Sequence, residues 1–131
     1  PEATAPDGPT VPGPLGLVVG ARSGDKGGDA NLGVFVREDS AWAWLDNHLT
    51  VERLRVLLPE AAELEIERYG LPAVRSLNFV IHGLLGEGVA ASTRLDGQAK
   101  SLGEWLRARV VDLPIALLPN EAPTWEGEQA R

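Results

Sequence analysis

The chain has 131 residues, a formal net charge of −7 and no cysteine. That length supplies one domain with a real core. The acidic balance argues against nonspecific binding to nucleic acid or anionic membrane. The lack of thiols excludes disulfides, thiolate catalysis and Cys-ligated zinc or iron–sulfur sites.

Pro1 to Pro14 holds five prolines and two glycines and has little to bury, so residues 1–14 read as a linker. The globular part, residues 15–118, is expected to open with a strand over Leu15–Ala21. Ala21-Arg22-Ser23-Gly24-Asp25-Lys26-Gly27-Gly28-Asp29-Ala30-Asn31 follows, a polar loop longer than a two-residue hairpin needs. Leu32, Val34 and Val36 then alternate as a second strand. Asp39 or Ser40 offers a helix cap, with Trp42, Leu45 and Leu49 as the apolar stripe. Thr50 offers a second cap, before Val51, Leu54, Leu57 and Leu58. One broken helix, or two short ones, therefore ends by Pro59.

Glu63 to Tyr69 alternates, with Leu64 and Ile66 on one side and Glu63, Glu65 and Glu67 on the other. An antiparallel strand with one buried face does this. Between Arg75 and Leu85, bulk falls on both faces, which suits a more central strand. Val89–Leu95 reads as a further strand. Ser101-Leu102-Gly103-Glu104 has the form of a capping box, and Leu102, Trp105 and Leu106 supply the apolar face of a helix. Val110–Leu118 is expected as a last strand, placed on an edge by Pro114. Residues 119–131 form a polar, acidic tail. The order predicts an α+β domain: an antiparallel sheet with two helices on one face.

Two readings of the glycine-rich stretch stand side by side. It is a soluble turn with self-compensating charges, or it is an anion cradle. In the second case the backbone N–H groups around Gly24 and Gly27 and the Lys26 ammonium face a phosphate or carboxylate. It is neither a Walker loop nor a dinucleotide fingerprint, because no Gly-Lys-Ser/Thr and no helix follow it. Asp25 and Asp29 alone make a thin ligand set for a hard cation, and no metal or other cofactor is expected. His82 lies four residues from Asn78, on the same side of a strand with Val80 between them. Both either satisfy main-chain groups or form a polar patch, with Lys26 or Lys100 binding an anion. His48 reads as a surface or capping residue, Tyr69 as a packing residue, and Glu63, Glu65 and Glu67 as a solvated face. The binding candidates are thus Ser23, Gly24, Asp25, Lys26, Gly27, Asp29, Asn31, Asn78, His82 and Lys100. No complete catalytic set is visible.

Several ordered motifs resemble the small domain of the acyclic terpene utilisation (AtuA) family. They are Ala21 to Gly33, Glu67-Arg68-Tyr69-Gly70-Leu71-Pro72, Leu77-Asn78-Phe79-Val80, Gly86-Glu87-Gly88-Val89 and Leu95 to Leu102. The resemblance runs from about Leu15 to Val111. It implies a ferredoxin-like fold or a variant of it. The family domain usually follows a much larger one and accompanies CoA-dependent degradation of acyclic terpenoids and branched acids. No catalytic residue set comes with the likeness. Where the family often has Gly-Lys, this chain has Ala99-Lys100, which keeps the charge and loses the glycine's backbone freedom.

Two functions are expected from this. The first is an accessory or assembly domain that partners a larger AtuA-type domain or forms a homo-oligomer. The second is a binding or catalytic domain that holds a small anionic ligand (phosphate, CoA or carboxylate) at residues 22–31. Nucleic acid and membrane are not expected partners. No apolar stretch approaches the roughly 20 residues of a membrane span, no signal peptide is visible, and a cytoplasmic location is expected.

Overall fold

A computed structural model describes residues 5–84 and 101–119. The expected strand over Val89–Leu95, the Ala99-Lys100 turn and Trp125 lie outside the described residues.

Six strands are present among them: β1 (Thr10–Pro14), β2 (Gly20–Lys26), β3 (Asp29–Phe35), β4 (Ile66–Leu71), β5 (Ser76–Ile81) and β6 (Val110–Pro114). Helices α1 (Asp39–His48) and α2 (Val51–Leu57) join β3 to β4, and α3 covers residues 101–108. Four strands form an antiparallel sheet in the order β2-β3-β5-β4, while β1 and β6 pair as a separate antiparallel ribbon. β3 and β4 run parallel on either side of β5 and are joined by α1 and α2, which is a split βαβ unit. The domain is α+β, a variant of the ferredoxin-like arrangement in which β2 flanks β3 and β6 leaves the main sheet for β1. No helix among the described residues is long and apolar enough to cross a membrane.

The sheet alternates by residue. Ala30, Leu32 and Val34 of β3 and Leu77, Phe79 and Ile81 of β5 are buried on one face. Both helical layers lie there. A Cβ on Gly103 of α3 would stand 3.2 Å from Ala21 Cβ of β2, and one on Gly70 of β4 would stand 3.9 Å from the Trp42 ring of α1. The two helical regions therefore sit on one face, as the element order predicts. Leu45, Leu49, Leu54, Leu58, Leu102 and Leu106 complete the core against this face.

Local signals explain most boundaries. Thr50 caps α2, its Oγ1 accepting the Arg53 N–H at 3.1 Å. The Arg68 guanidinium donates to the Leu49 and Asp46 carbonyls at 3.0 and 2.7 Å and so closes the end of α1, where a cation is favoured. Glu38 occupies the N-cap of α1 without a side-chain bond, so neither Asp39 nor Ser40 caps it; Asp39 pairs with Arg75 instead. Ser101 already lies within α3.

Three boundaries differ from the sequence reading. Leu15–Leu17 is a 3₁₀ turn, and the strand starts only at Gly20. The last strand stops at Pro114, where a 3₁₀ turn over Ile115–Leu117 begins. Thr10–Pro14, inside the stretch read as linker, is a strand. Thr10, Pro12 and Pro14 stand opposite Pro114, Asp112 and Val110. A two-stranded ribbon is all edge, so prolines with no N–H to donate are tolerated there.

Candidate functional site

The glycine-rich stretch is a hairpin. Strand pairing runs unbroken from Gly20↔Phe35 to Lys26↔Asp29, leaving only Gly27 and Gly28 in the turn. Gly27 has φ +66, as the first position of a II′ turn requires. The expected long loop is thus two strand ends, and alternation divides its residues between two faces. Ser23 and Asp25 occupy helix-side positions, opposite Leu32 and Ala30. Ser23 Oγ accepts the Gly103 N–H at 2.8 Å, tying β2 to α3. Arg22, Gly24, Asp29 and Asn31 occupy positions on the opposite face, which no helix among the described residues covers (the uncovered face), and Lys26 stands opposite Asp29 in register.

The same register brings other expected residues to that face. Gly33 is opposite Asn78 and Asn78 opposite Tyr69; Asn31 is opposite Val80 and Val80 opposite Glu67. Asp29, Asn31, Asn78 and His82 therefore share one surface, although 53 positions separate the first from the last. Lys100 lies outside the described residues.

His82 is the centre of a network across three strands. Its Nδ1 is 3.0 Å from Asp29 Oδ2 and its Nε2 is 2.5 Å from Glu67 Oε2. The Gly83 N–H donates to Asp29 Oδ1 at 2.9 Å, and the Tyr69 hydroxyl donates to Glu67 Oε1. The backbone N–H of His82 donates to the Glu65 carbonyl at 2.9 Å, extending the β4–β5 pairing. With a carboxylate at each ring nitrogen, the doubly protonated imidazolium satisfies both bonds. The Glu67 bond is the largest cause raising the His82 pKa above its ordinary 6.5, with Asp29 acting in the same direction. The Gly83 amide holds the Asp29 carboxyl below its ordinary range, and the Tyr69 hydroxyl and His82 do the same for Glu67.

Glu67 and Tyr69 are not among the residues expected from sequence, nor is Arg22. Glu67 is part of a solvated row only in pattern; in space it holds the histidine. Tyr69 is 48% exposed and bonds Glu67 rather than packing in the core. The signal that finds them is the β4–β5 hairpin: counting back across its turn places Tyr69 opposite Asn78 and Glu67 opposite Val80.

Beside this network lies a depression of about 400 Å³, lined by Arg22, Phe35, Leu71, Val74 and Asn78 over Gly33. The Arg22 guanidinium carbon is 5.7 Å from the centre of the Phe35 ring. That ring lies across Gly20, where an added Cβ would come within 2.4 Å of it. Asn31 Oδ1 is buried and has no hydrogen-bond partner among the described residues. A larger cavity, about 620 Å³, opens near Gly16, Val19 and Leu117, away from the expected site residues. Of the two arginines that line it, Arg37 is exposed and Arg107 already bonds the Val19 and Gly16 carbonyls.

His48 departs from its expected surface role. It stacks on Trp44 with ring centroids 4.5 Å apart, and its Nε2 is buried without a partner among the described residues. Burial lowers its pKa, and the Arg53 cation adds to the effect.

No curated protein and no solved structure shows a significant match to this chain. The model of one family, the AtuA ferredoxin-like domain, does match, over residues 14–112. That span takes in both sides of the hairpin, the whole four-stranded sheet and the His82 network, and by it the chain belongs to the AtuA ferredoxin-like domain family.

Proposed function

We propose that the domain is an accessory module that docks by the uncovered face of its sheet onto a larger AtuA-type catalytic domain. Its setting is then CoA-dependent breakdown of acyclic terpenoids or branched acids. One observation carries the reading. Among the described residues the helices cover one face only, and the other presents Tyr69, Leu71 and Val74 at 46–63% exposure beside half-buried Phe35 and Asn78. Contiguous apolar groups rimmed by polar ones are the mark of a docking surface. Mixing the full chain with the larger family domain tests it, read by size exclusion and cross-linking. A complex that Leu71→Glu or Val74→Glu weakens is expected. A strict monomer that ignores the larger domain overturns the reading, and a homodimer moves the interface to a second copy.

A second reading is favoured by the depression itself. It pairs apolar walls with one guanidinium, and Arg22 has no ion pair among the described residues. That chemistry suits a small organic anion. Calorimetry with CoA thioesters, phosphate and simple carboxylates is expected to give heat that Arg22→Ala removes. No heat with any of them sinks this reading and leaves docking intact.

A further inference from the structure

At the end of the uncovered face, side chains of one histidine and two glutamates converge. Donor atoms of Glu65, Glu67 and His82 all lie within 4.8 Å of one another. We propose that these three residues bind a divalent first-row transition ion, of the zinc, cobalt or manganese kind, with Asp29 as the positioning residue behind His82.

The geometry favours this in four respects. The backbone fixes the ligand positions: the His82 N–H to Glu65 carbonyl bond holds two of them together, and the Ile66↔Ile81 pair lies beside them. Nε2 is the nitrogen turned toward the glutamates, because Nδ1 faces Asp29. Asp29 is itself pinned by the Gly83 amide. Ligating histidines regularly donate their second N–H to a carboxylate, which fixes the tautomer and strengthens the ligand. Finally, the donor set is right in kind. The imidazole suits zinc and other first-row transition ions, and the carboxylates suit manganese.

Ligand bonds of about 2.0–2.2 Å place donors roughly 3.3 Å apart. The present spacing closes to that by rotation of the exposed Glu65 carboxylate and by loss of the His82–Glu67 bond, the ion replacing the Nε2 proton, which leaves to solvent, while Nδ1–H stays on Asp29. Three protein ligands leave at least one position for water or a ligand atom. The site does not depend on docking, since Leu71 and Val74 take no part in it.

The test is titration of the metal-stripped full chain with Co²⁺, followed by competition with Zn²⁺. One Co²⁺ per chain is expected, with visible d–d absorption and a raised Tm. His82→Ala and Glu67→Gln are expected to abolish the absorption. Glu65→Gln, at an exposed residue that leaves the fold intact, is expected to weaken binding about 10- to 100-fold, and Asp29→Asn by a similar factor with the spectrum retained. No saturable binding at millimolar Co²⁺ overturns the proposal. So does binding that survives both His82→Ala and Glu65→Gln, which would mark ordinary surface carboxylates. Circular dichroism on each variant separates loss of the site from loss of the fold.

Discussion

On the helix side of the sheet stand Ala30, Leu32 and Val34 beside Leu77, Phe79 and Ile81, all buried. One residue along the same strands, on the other side, stand Asn31, Gly33 and Phe35 beside Asn78 and Val80, all half-buried. Period-2 geometry gives both sets the same spacing. What differs is the means of cohesion. The helix side is held by apolar burial with a few backbone ties, such as Ser23 to Gly103. The uncovered side is held by hydrogen bonds between ionisable groups, centred on His82. A surface built that way keeps its polar groups organised where no described helix covers them, which is what a recognition face needs.

Truncation on the two sides should therefore differ most. Phe79 has no exposed surface, so Phe79→Ala is expected to cost about 3–5 kcal/mol by urea denaturation. Asn78→Ala, its chain neighbour on the uncovered side, should stay under about 1 kcal/mol. Equal losses would mean that the uncovered face is core after all. Ser23→Ala comes next: it strands the Gly103 amide between β2 and α3, and a loss of about 1–2 kcal/mol is expected. Should ligand binding vanish while stability holds, Ser23 belongs to the site and the division between faces is misdrawn. Thr50→Ala removes the α2 cap and should cost about 1 kcal/mol, with no effect on the uncovered face.

Much of this was legible in the sequence, because local rules decide it. Alternation located β3, β4 and β5, the Thr50 cap located α2, and the Asn78–Val80–His82 spacing put two site residues on one face. Where the reading failed, long-range pairing decided. Pairing converts the polar run from Ala21 to Asn31 into strand, and composition alone cannot tell a long loop from a hairpin with polar arms. Likewise, Thr10–Pro14 becomes a strand only because Val110–Pro114 arrives beside it. Glu67 looked solvated because nothing local links it to a histidine fifteen residues on. His48 sits at a helix end, which suits a cation, yet its burial, with the Arg53 cation nearby, outweighs the dipole.

The chain's two histidines report on the two sides, and they are expected to titrate in opposite directions from the ordinary 6.5. His82, between two carboxylates, is raised; His48, half-buried at the end of α1, is lowered. The signs fix the consequences for stability. A raised histidine favours the folded state below its unfolded pKa, and that contribution fades as pH rises through the folded value. A lowered one favours the folded state above its unfolded pKa, and that contribution fades as pH falls through the folded value. The first contribution fades above 6.5 and the second below it, so together they give the intact chain a stability maximum near neutrality that does not say which histidine acts on which side. NMR of the two imidazoles in metal-stripped protein separates them. Glu67→Gln should return the His82 value toward 6.5 and leave His48 where it is. Tyr69→Phe should move His82 less, because it acts only through the other oxygen of Glu67. If His82 titrates normally in the intact chain, the Asp29–His82–Glu67 bonds do not form in solution. The face would then keep its exposed apolar groups and the Arg22 depression but lose the polar network that organises its far end.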